Sequence, residues 1–404
     1  MTASLDVVAD AVTPMSNLDI EKLILAAGDR DERLLAVVAE LGVDPVAALL
    51  VDEVAFRADI PVIDLVDTPV HLRLDLTHGD ERLSFVFEAR HGEPFRVSPG
   101  TSDQSAMLIE YRLTDLVRDL YGPVHERAAG RRRTVPTFEL ARAACPDVRI
   151  LAITRAGHQA IAALLAGIDK PGDLEALAPR YYSDKWGGLH WFTPHYTRHL
   201  AALRDKPVRV LEIGVGGYMT TTFGGGSLRM WRRFFTRGLV YGLDIFDKTV
   251  ADQSRVKTLI GSQNDPEYLV RMAREYGPFD VIIDDGSHVN EHVRTSFRTL
   301  FPYLRSGGVY AIEDLWTAYC GEYGGDESAE AGPETSIGML KALVDAIHYQ
   351  QHHAGDPARA VTEPTFDQAT VTGLHVYHNL AFIEKGINAE GAMPTWIPRT
   401  PPAS

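Results

Sequence analysis

Cysteine is almost missing from this 404-residue chain: there are two, Cys145 and Cys320, far apart and without metal-ligand spacing. A disulfide scaffold and a Cys-based zinc site are excluded, and a reducing cytoplasm is the expected home. Long apolar runs are lacking too. None approaches the roughly 18 to 20 residues that a membrane span needs, and MTASLDVVADAVTPM at the start has no basic stretch ahead of an apolar core, so it does not read as a secretory signal. Positive charge is in deficit, with a net charge of -15. A polyanionic partner such as nucleic acid needs a basic surface, which argues against one. Arg131-Arg132-Arg133 is the densest basic run, and it reads as a solvated linker. No repeat of roughly 20 to 50 residues is found, so solenoids and propellers are out.

What is present divides into two parts with different periodicities, predicting an auxiliary α+β domain over 1–150 and a larger α/β domain over 151–404. Asn17-Leu18-Asp19 leads into a helical pattern, and Glu32 to Leu50 repeats apolar residues at helical spacing. His71 to Thr77 then alternates strictly, His78-Gly79-Asp80 supplies a turn, and Arg82 to Glu88 returns, which predicts an antiparallel hairpin. A third strand near 106–111 and a helix over 113–120 complete the unit. From about 124 to 150 the chain reads as a connector. Helices are expected near 154–167, 172–182 and 190–204.

After Pro207 strands alternate with helices. The runs 208–213, 239–243, 279–283 and 308–312 are too continuously apolar to have a wet face, as in buried parallel strands. Helices at about 227–235, 265–276 and 289–304 lie between them, so the fold class is α/β with a doubly wound sheet. The first strand runs into Glu212-Ile213-Gly214-Val215-Gly216-Gly217. A dinucleotide fingerprint wants glycine at 219, where Met219 stands, and an acid roughly 20 residues on. Here the acid is Asp244, thirty residues past Gly214. A carboxylate there can accept both ribose hydroxyls of an adenosyl group. The longer loop, 218–226, leads to a helix with Ser227 as its expected cap. A plain strand-turn-helix is the competing reading. Ser262-Gln263 follows the third strand, 256–260; it fits either an adenine-flanking pair or a polar loop. Near the end, 371–377 and 380–384 flank His378-Asn379 as an antiparallel hairpin, which separates a methyltransferase sheet from a nicotinamide one.

The chemistry concentrates at two strand ends, Asp284-Asp285-Gly286-Ser287-His288 and Glu313-Asp314. Neighbouring parallel strands lie ~4.8 Å apart, so Asp285, Glu313 and Asp314 would crowd together. A hard divalent cation relieves that repulsion, and oxygen ligands favour Mg²⁺. His288, expected one helical turn beyond Asp285, is placed to take a proton from a metal-polarised hydroxyl. Surface acids beside an exposed histidine remain the plainer alternative. An iron triad would need a second histidine at the right place, and these two strand ends supply none.

The runs YYSDKWGGLHWFTPHY (181–196), LEIGVGGY (211–218), GGGSLRMWRRFF (224–235), VIIDDGSHVNEH (281–292), YAIEDL (310–315) and GLHVYHNLAFIEKG (373–386) carry a family resemblance. The chain resembles the bacterial O-methyltransferases that methylate sugars on macrolides and other glycosylated antibiotics, such as the mycinamicin and demethylmacrocin enzymes. The likeness is specific after about residue 170 and loose before it. It implies a class I methyltransferase, Rossmann-like sheet that binds S-adenosylmethionine, dependence on Mg²⁺, a glycoside substrate and a homo-oligomer, often a tetramer, whose N-terminal domain covers a neighbour's active site. Position by position it implies Asp285, Glu313 and Asp314 as metal ligands and His288 as general base. Glu212, Gly214, Gly216, Gly217, Ser227, Asp244, Ser262 and Gln263 would form the cofactor pocket. One common family form has Tyr-Gly where Tyr181-Tyr182 stand here, which loosens claims about that loop.

The segment Thr317 to Ser336 has five acids and no Lys or Arg, and reads either as a lid or as a disordered loop. His348, His352 and His353 read as surface residues of a helix from about 336, and Trp186 and Trp191 as packing or as a wall of the cofactor site. Besides a sugar hydroxyl, the acceptor could be a phenol or catechol-like diol. A non-catalytic adenosyl-binding accessory protein is the reading from another class.

Overall fold

The computed structural model describes residues 15–63, 69–127, 129–137, 148–351 and 363–391. Cys145, His352, His353, the N-terminal stretch 1–14 and part of the expected connector lie outside them.

The chain begins with α1 (Asn17–Ala26), started by Ser16, whose side chain accepts from Asp19 N. The apolar pattern expected to run through 32–50 is two helices, α2 (Asp31–Leu41) and α3 (Val43–Arg57), bent by 102°. Gly42 takes φ 89 between them, a conformation open to glycine that breaks the helix. Among the described residues no single helix is long and apolar enough to cross a membrane.

A five-stranded sheet follows, formed by β1 (Val70–His78), β2 (Glu81–Ala89), β3 (Arg96–Pro99), β4 (Ser105–Arg112) and β5 (Arg132–Pro136), in the order β3-β2-β1-β4-β5. The expected hairpin is β1–β2, with His78 opposite Glu81 across a two-residue turn. Helix α4 (Leu113–Tyr121) follows β4. Helix α5 (Val148–Asp169) lies on this sheet, packing on β1 and β4 and against α3. Its Ile161 and Leu164 share a core with Leu72, Leu74 and Leu76 of β1.

The arginine run expected in a solvated linker is instead at the edge of this sheet. Arg131 pairs with Asp119 at 2.9 Å, Arg132 with Asp169 at 2.6 Å and Arg133 with Glu110 at 2.9 Å. Each guanidinium has a carboxylate supplied from elsewhere in the fold, so the charge that suggested solvent holds the edge strand in place.

Helices α6 (Leu174–Arg180) and α7 (Thr193–Leu200) lead to the second sheet. Its elements are β6 (Arg209–Ile213), α8 (Gly226–Phe234), β7 (Leu239–Asp244), β8 (Val256–Ile260), α9 (Pro266–Tyr276), β9 (Phe279–Asp284), α10 (Asn290–Leu300), β10 (Leu304–Glu313), α11 (Ser336–Ile347), α12 (Phe366–Thr370), β11 (Val371–Tyr377) and β12 (Leu380–Lys385). The order is β11-β12-β10-β9-β6-β7-β8. Strands β6 to β10 are parallel, and β12 runs antiparallel to both β10 and β11. The chain builds outward from β6 through β7 to β8, then returns to the other side of β6 with β9. That reversal opens a crevice beyond the carboxyl ends of β6 and β9, where doubly wound sheets bind ligands.

The two parts are joined through a buried charge. Glu53 of α3 is fully buried and meets Arg57 at 2.6 Å, Arg232 at 2.9 Å and Arg255 at 2.5 Å. Arg232 and Arg255 belong to the second part, and the Arg232 guanidinium also lies 3.8 Å from the centre of the Phe56 ring. Burial alone would raise the Glu53 carboxyl, but the three guanidinium groups outweigh it and hold it well below the usual range.

Candidate active site

The glycine loop after β6 is shaped by close approach. Gly214 has φ 91, and a Cβ there would come within 2.0 Å of the Asp285 carbonyl oxygen. Gly217 has φ 78 and would meet the Phe223 carbonyl at 2.3 Å, while Gly216, at φ 75, faces open space. The loop that follows is anchored from below by Lys248, fully buried, whose Nζ donates to the carbonyls of Tyr218 and Thr220 at 2.6 and 2.8 Å. Asp244 ends β7 with its carboxylate already oriented: Oδ2 accepts from Val215 N at 3.0 Å and Oδ1 from Phe246 N at 2.9 Å. Further lone pairs remain for hydroxyl donors.

Three expected pocket residues are engaged inside the protein. Ser227 does not cap α8; the cap position is Gly225, at φ 71. The Ser227 hydroxyl lies inside the helix and donates to Glu212 Oε2 at 2.6 Å, and Glu212 is itself fully buried. Gln263 Nε2 donates to Asp284 Oδ1 at 3.0 Å and its Oε1 accepts from Ser287 N at 2.7 Å. Both ends of its amide therefore brace the loop that carries Asp285 and His288. Gly286 leaves the room, since a Cβ there would lie 2.1 Å from Gln263 Oε1. Ser262 sits beside it, its hydroxyl accepting from Asn264 N at 3.1 Å.

At the carboxyl ends of β9 and β10 the acids converge on a residue that sequence reasoning missed. Lys185 is fully buried, with Nζ 2.7 Å from Asp285 Oδ2, 2.7 Å from Glu313 Oε1 and 3.4 Å from Glu212 Oε1. Burial disfavours its charge, but the three carboxylates outweigh that and raise the ammonium well above its ordinary range. Tyr196 of α7 adds a short hydrogen bond from its hydroxyl to the same Glu313 oxygen. Lys185 lies in the Tyr-Ser-Asp-Lys run, and that motif was the available signal.

Asp314 and His288 form the other half of the cluster. Both take left-handed backbone conformations, at φ 54 and φ 57, which cost free energy for residues with a Cβ and here fix where their side chains point. His288 is therefore not on a helix as expected, since α10 starts at Asn290. Its Nε2 lies 3.4 Å from Asp314 Oδ2, and His190 Nε2 approaches Asp314 Oδ1 at 3.6 Å. Burial pushes the Asp314 carboxyl up, partly offset by the two histidines.

The donor set suits a divalent cation. One ligand atom each from Asp285, His288 and Asp314 all lie within 4.8 Å of one another. Asp314 Oδ1 is buried with no hydrogen-bond partner among the described residues, an arrangement that is costly unless something else satisfies it. Three carboxylates (Glu212, Asp285 and Glu313) share a single ammonium and a fourth, Asp314, faces only the two histidines, so the cluster can take a further positive charge.

The acidic segment after β10 is held here as well. Asn290, almost fully buried, donates to the carbonyls of Thr317 and Tyr323 at 3.0 and 3.1 Å and accepts from Ser336 N at 2.7 Å. One side chain, two residues after His288, thus fastens both ends of 317–336. Trp186 packs on the core while Trp191, 4.7 Å from it edge to face, is exposed. His348 is exposed at the end of α11.

Parallel strands with an antiparallel β12 inserted before the edge, over a glycine loop and a strand-end acid, define a class I methyltransferase fold. The family model described as MycE methyltransferase N-terminal matches residues 20–132. The chain is 49% identical over 383 residues to demethylmacrocin O-methyltransferase of Streptomyces fradiae, covering 94% of each. It is 45% identical over 390 residues to mycinamicin VI 2''-O-methyltransferase of Micromonospora griseorubida, covering 96% of each. The structure of MycE methyltransferase in complex with Mg, SAH and mycinamycin VI superposes with a TM-score of 0.86 at 44% identity, over 96% of this chain and 97% of that one. The chain belongs to this family of antibiotic-sugar O-methyltransferases. The likeness extends through the N-terminal part as well, where the sequence motifs suggested only a loose one.

Proposed function

We propose that the protein transfers the methyl group of S-adenosylmethionine to a sugar hydroxyl, on a deoxyhexose or rhamnose of a glycosylated antibiotic, with the help of Mg²⁺. The observation that carries this is the convergence of Asp285, His288 and Asp314 at the crevice beside the glycine loop. Asp285 and Asp314 would hold the metal, with Glu313 contributing the oxygen that Lys185 and Tyr196 do not occupy. Gly214 to Gly217 and Asp244 would hold the cofactor, Asp244 taking the ribose hydroxyls on a carboxylate that Val215 and Phe246 have already oriented. Glu212, Ser227 and Gln263 would serve that pocket from behind, and Ser262 from its rim.

The metal supplies Lewis acidity to the acceptor hydroxyl, and the sulfonium cofactor supplies a methyl group that is already electrophilic. His288 Nε2 takes the hydroxyl proton, and the Asp314 carboxylate at 3.4 Å stabilises the imidazolium that results. Lys185 gives Asp285 and Glu313 a fixed counter-charge. The fixed backbone of His288 and Asp314 provides orientation, which is most of what methyl transfer needs once the oxygen is deprotonated.

The test is turnover on a panel of rhamnosylated and deoxyhexosylated macrolides and tetracenomycins, followed by mass spectrometry with and without EDTA. A singly methylated glycoside formed only without chelator is the expected product, and chelator-insensitive methylation would overturn the metal role. We also infer a homo-oligomer, a tetramer, in the cytoplasm. Family membership supports the first, light scattering tests it, and the scarcity of cysteine supports the second. The packing of α5 on the first sheet supports dividing the domains after Asp169 rather than at 150.

A further inference from the structure

A second group of metal-ligating side chains lies two strands away from Asp285, where the end of α7 meets the terminal hairpin. It comprises His199 of α7, His375 of the edge strand β11 and Glu384 of β12, and one ligand atom from each lies within 4.8 Å of the others. His375 Nε2 is 3.1 Å from Glu384 Oε1, and His199 Nδ1 is 3.9 Å from the same oxygen. Ligands around a tetrahedral zinc with bonds of about 2.0–2.1 Å are roughly 3.3 Å apart, so these spacings need only small movements to fit.

The surroundings hold the ligands as metal sites do. The His199 ring is stacked 4.3 Å from Phe382, and its side chain is only 5% exposed. Its Nε2 lies 2.9 Å from the Tyr377 hydroxyl, which can accept a hydrogen bond there and so leave the Nδ1 lone pair facing the cluster. Tyr377 is in turn fixed by His195, stacked 3.8 Å from it one helical turn before His199. Glu384 has its own recess, for its Oε2 lies where a Cβ on Gly373 would be, at 2.8 Å. Burial first, then the neighbouring His375, lowers the His199 pKa and favours the neutral imidazole that a metal requires.

We propose that His199, His375 and Glu384 form a second metal site, selective for a borderline transition-metal ion such as Zn²⁺ rather than Mg²⁺. Two imidazoles and one carboxylate, with water in the open position, match that class of ion, whereas Mg²⁺ prefers oxygen. Both His375 and Glu384 lie on the hairpin and His199 lies on α7, so an ion here ties the sheet edge to the helix that also carries Tyr196. The role is structural, and the site is independent of the methyl-transfer chemistry.

The test is titration of chelator-stripped protein, first saturated with Mg²⁺, using Zn²⁺ in calorimetry and Co²⁺ in visible absorption. One equivalent should bind, raise the thermal midpoint and give a tetrahedral Co²⁺ spectrum, and the Asp314→Asn protein should retain it. His375→Ala and Glu384→Gln alter half-exposed side chains, so folding is expected to persist and is checked by circular dichroism. Each should weaken Zn²⁺ binding at least about tenfold and abolish the thermal shift. Wild-type stoichiometry and affinity in both variants would overturn the assignment, as would the absence of any Zn²⁺ equivalent in the Mg²⁺-saturated protein.

Discussion

Lys185 Nζ donates to Asp285 Oδ2 at 2.7 Å across a hundred residues of sequence. The contact makes the loop between α6 and α7 part of the acid cluster and gives the strand-end carboxylates a permanent counter-charge. Lys185→Met would leave buried Glu212 and Glu313 without their cation. Breaking such a pair costs about 3–5 kcal/mol, to be read in urea denaturation, and methyl transfer should be lost with it. Wild-type stability would show that the carboxylates were never relying on Lys185.

For His288, substitution by alanine should lower kcat by roughly 10²–10⁴-fold, the usual share of a general base. The affinity for S-adenosylhomocysteine should stay near wild type, because the proposed role sets His288 against the acceptor hydroxyl and not the cofactor. Calorimetry and single-turnover assays separate the two. A rate close to wild type would remove His288 from the chemistry.

Asp314 has a buried oxygen without a hydrogen-bond partner among the described residues. Asp314→Asn should therefore raise the Mg²⁺ concentration needed for half-maximal activity and leave the fold intact. A metal requirement unchanged from wild type would place the ion elsewhere.

Gly214→Ala tests the close approach of the loop to β9. The new methyl group meets the Asp285 carbonyl at 2.0 Å, in a backbone conformation of φ 91 that alanine rarely adopts. Loss of cofactor-induced thermal stabilisation, together with a lower midpoint for the protein alone, is the expected result. Normal cofactor binding would mean that the loop can open without cost.

The Glu53 carboxyl is held well below its ordinary value of 4.5 in the folded protein. A depressed pKa contributes stability above the unfolded value, which is lost as the pH falls toward the folded one. Glu53→Gln should thus be less stable than wild type by about 3–5 kcal/mol near neutrality. The gap should narrow as the pH drops below 4.5. A gap that stays constant with pH would show that the carboxylate charge is not what the arginines need.

Much of the second sheet was legible because its strands are apolar on both faces, and a short run of that kind fits little besides a strand covered on both sides. The glycine loop, Asp244 and the acids at the ends of β9 and β10 could be placed by position on that frame. What could not be read depends on partners distant in sequence. Arg131 to Arg133 look like a solvated run until Asp119, Asp169 and Glu110 are brought beside them. Gln263 and Ser227 have the donors and acceptors of ligand-binding residues, but the fold gives those groups to Asp284, Ser287 and Glu212. The bend at Gly42 did have a local signal, Gly42 followed by Pro45, which a reading by apolar periodicity alone passes over. The left-handed backbone of His288 was hidden, since histidine's enrichment in that region is too small to mark a single position.

The meeting of Glu53 with Arg232 and Arg255 has a consequence for how the chain can be cut or recombined. A catalytic half made without α3 would uncover two guanidinium groups and leave them without their shared carboxylate. A first half made alone would expose the Glu53 carboxylate and the Phe56 ring to water. Neither half is a module that could be exchanged with an unrelated partner, and the intact chain should melt in one cooperative transition.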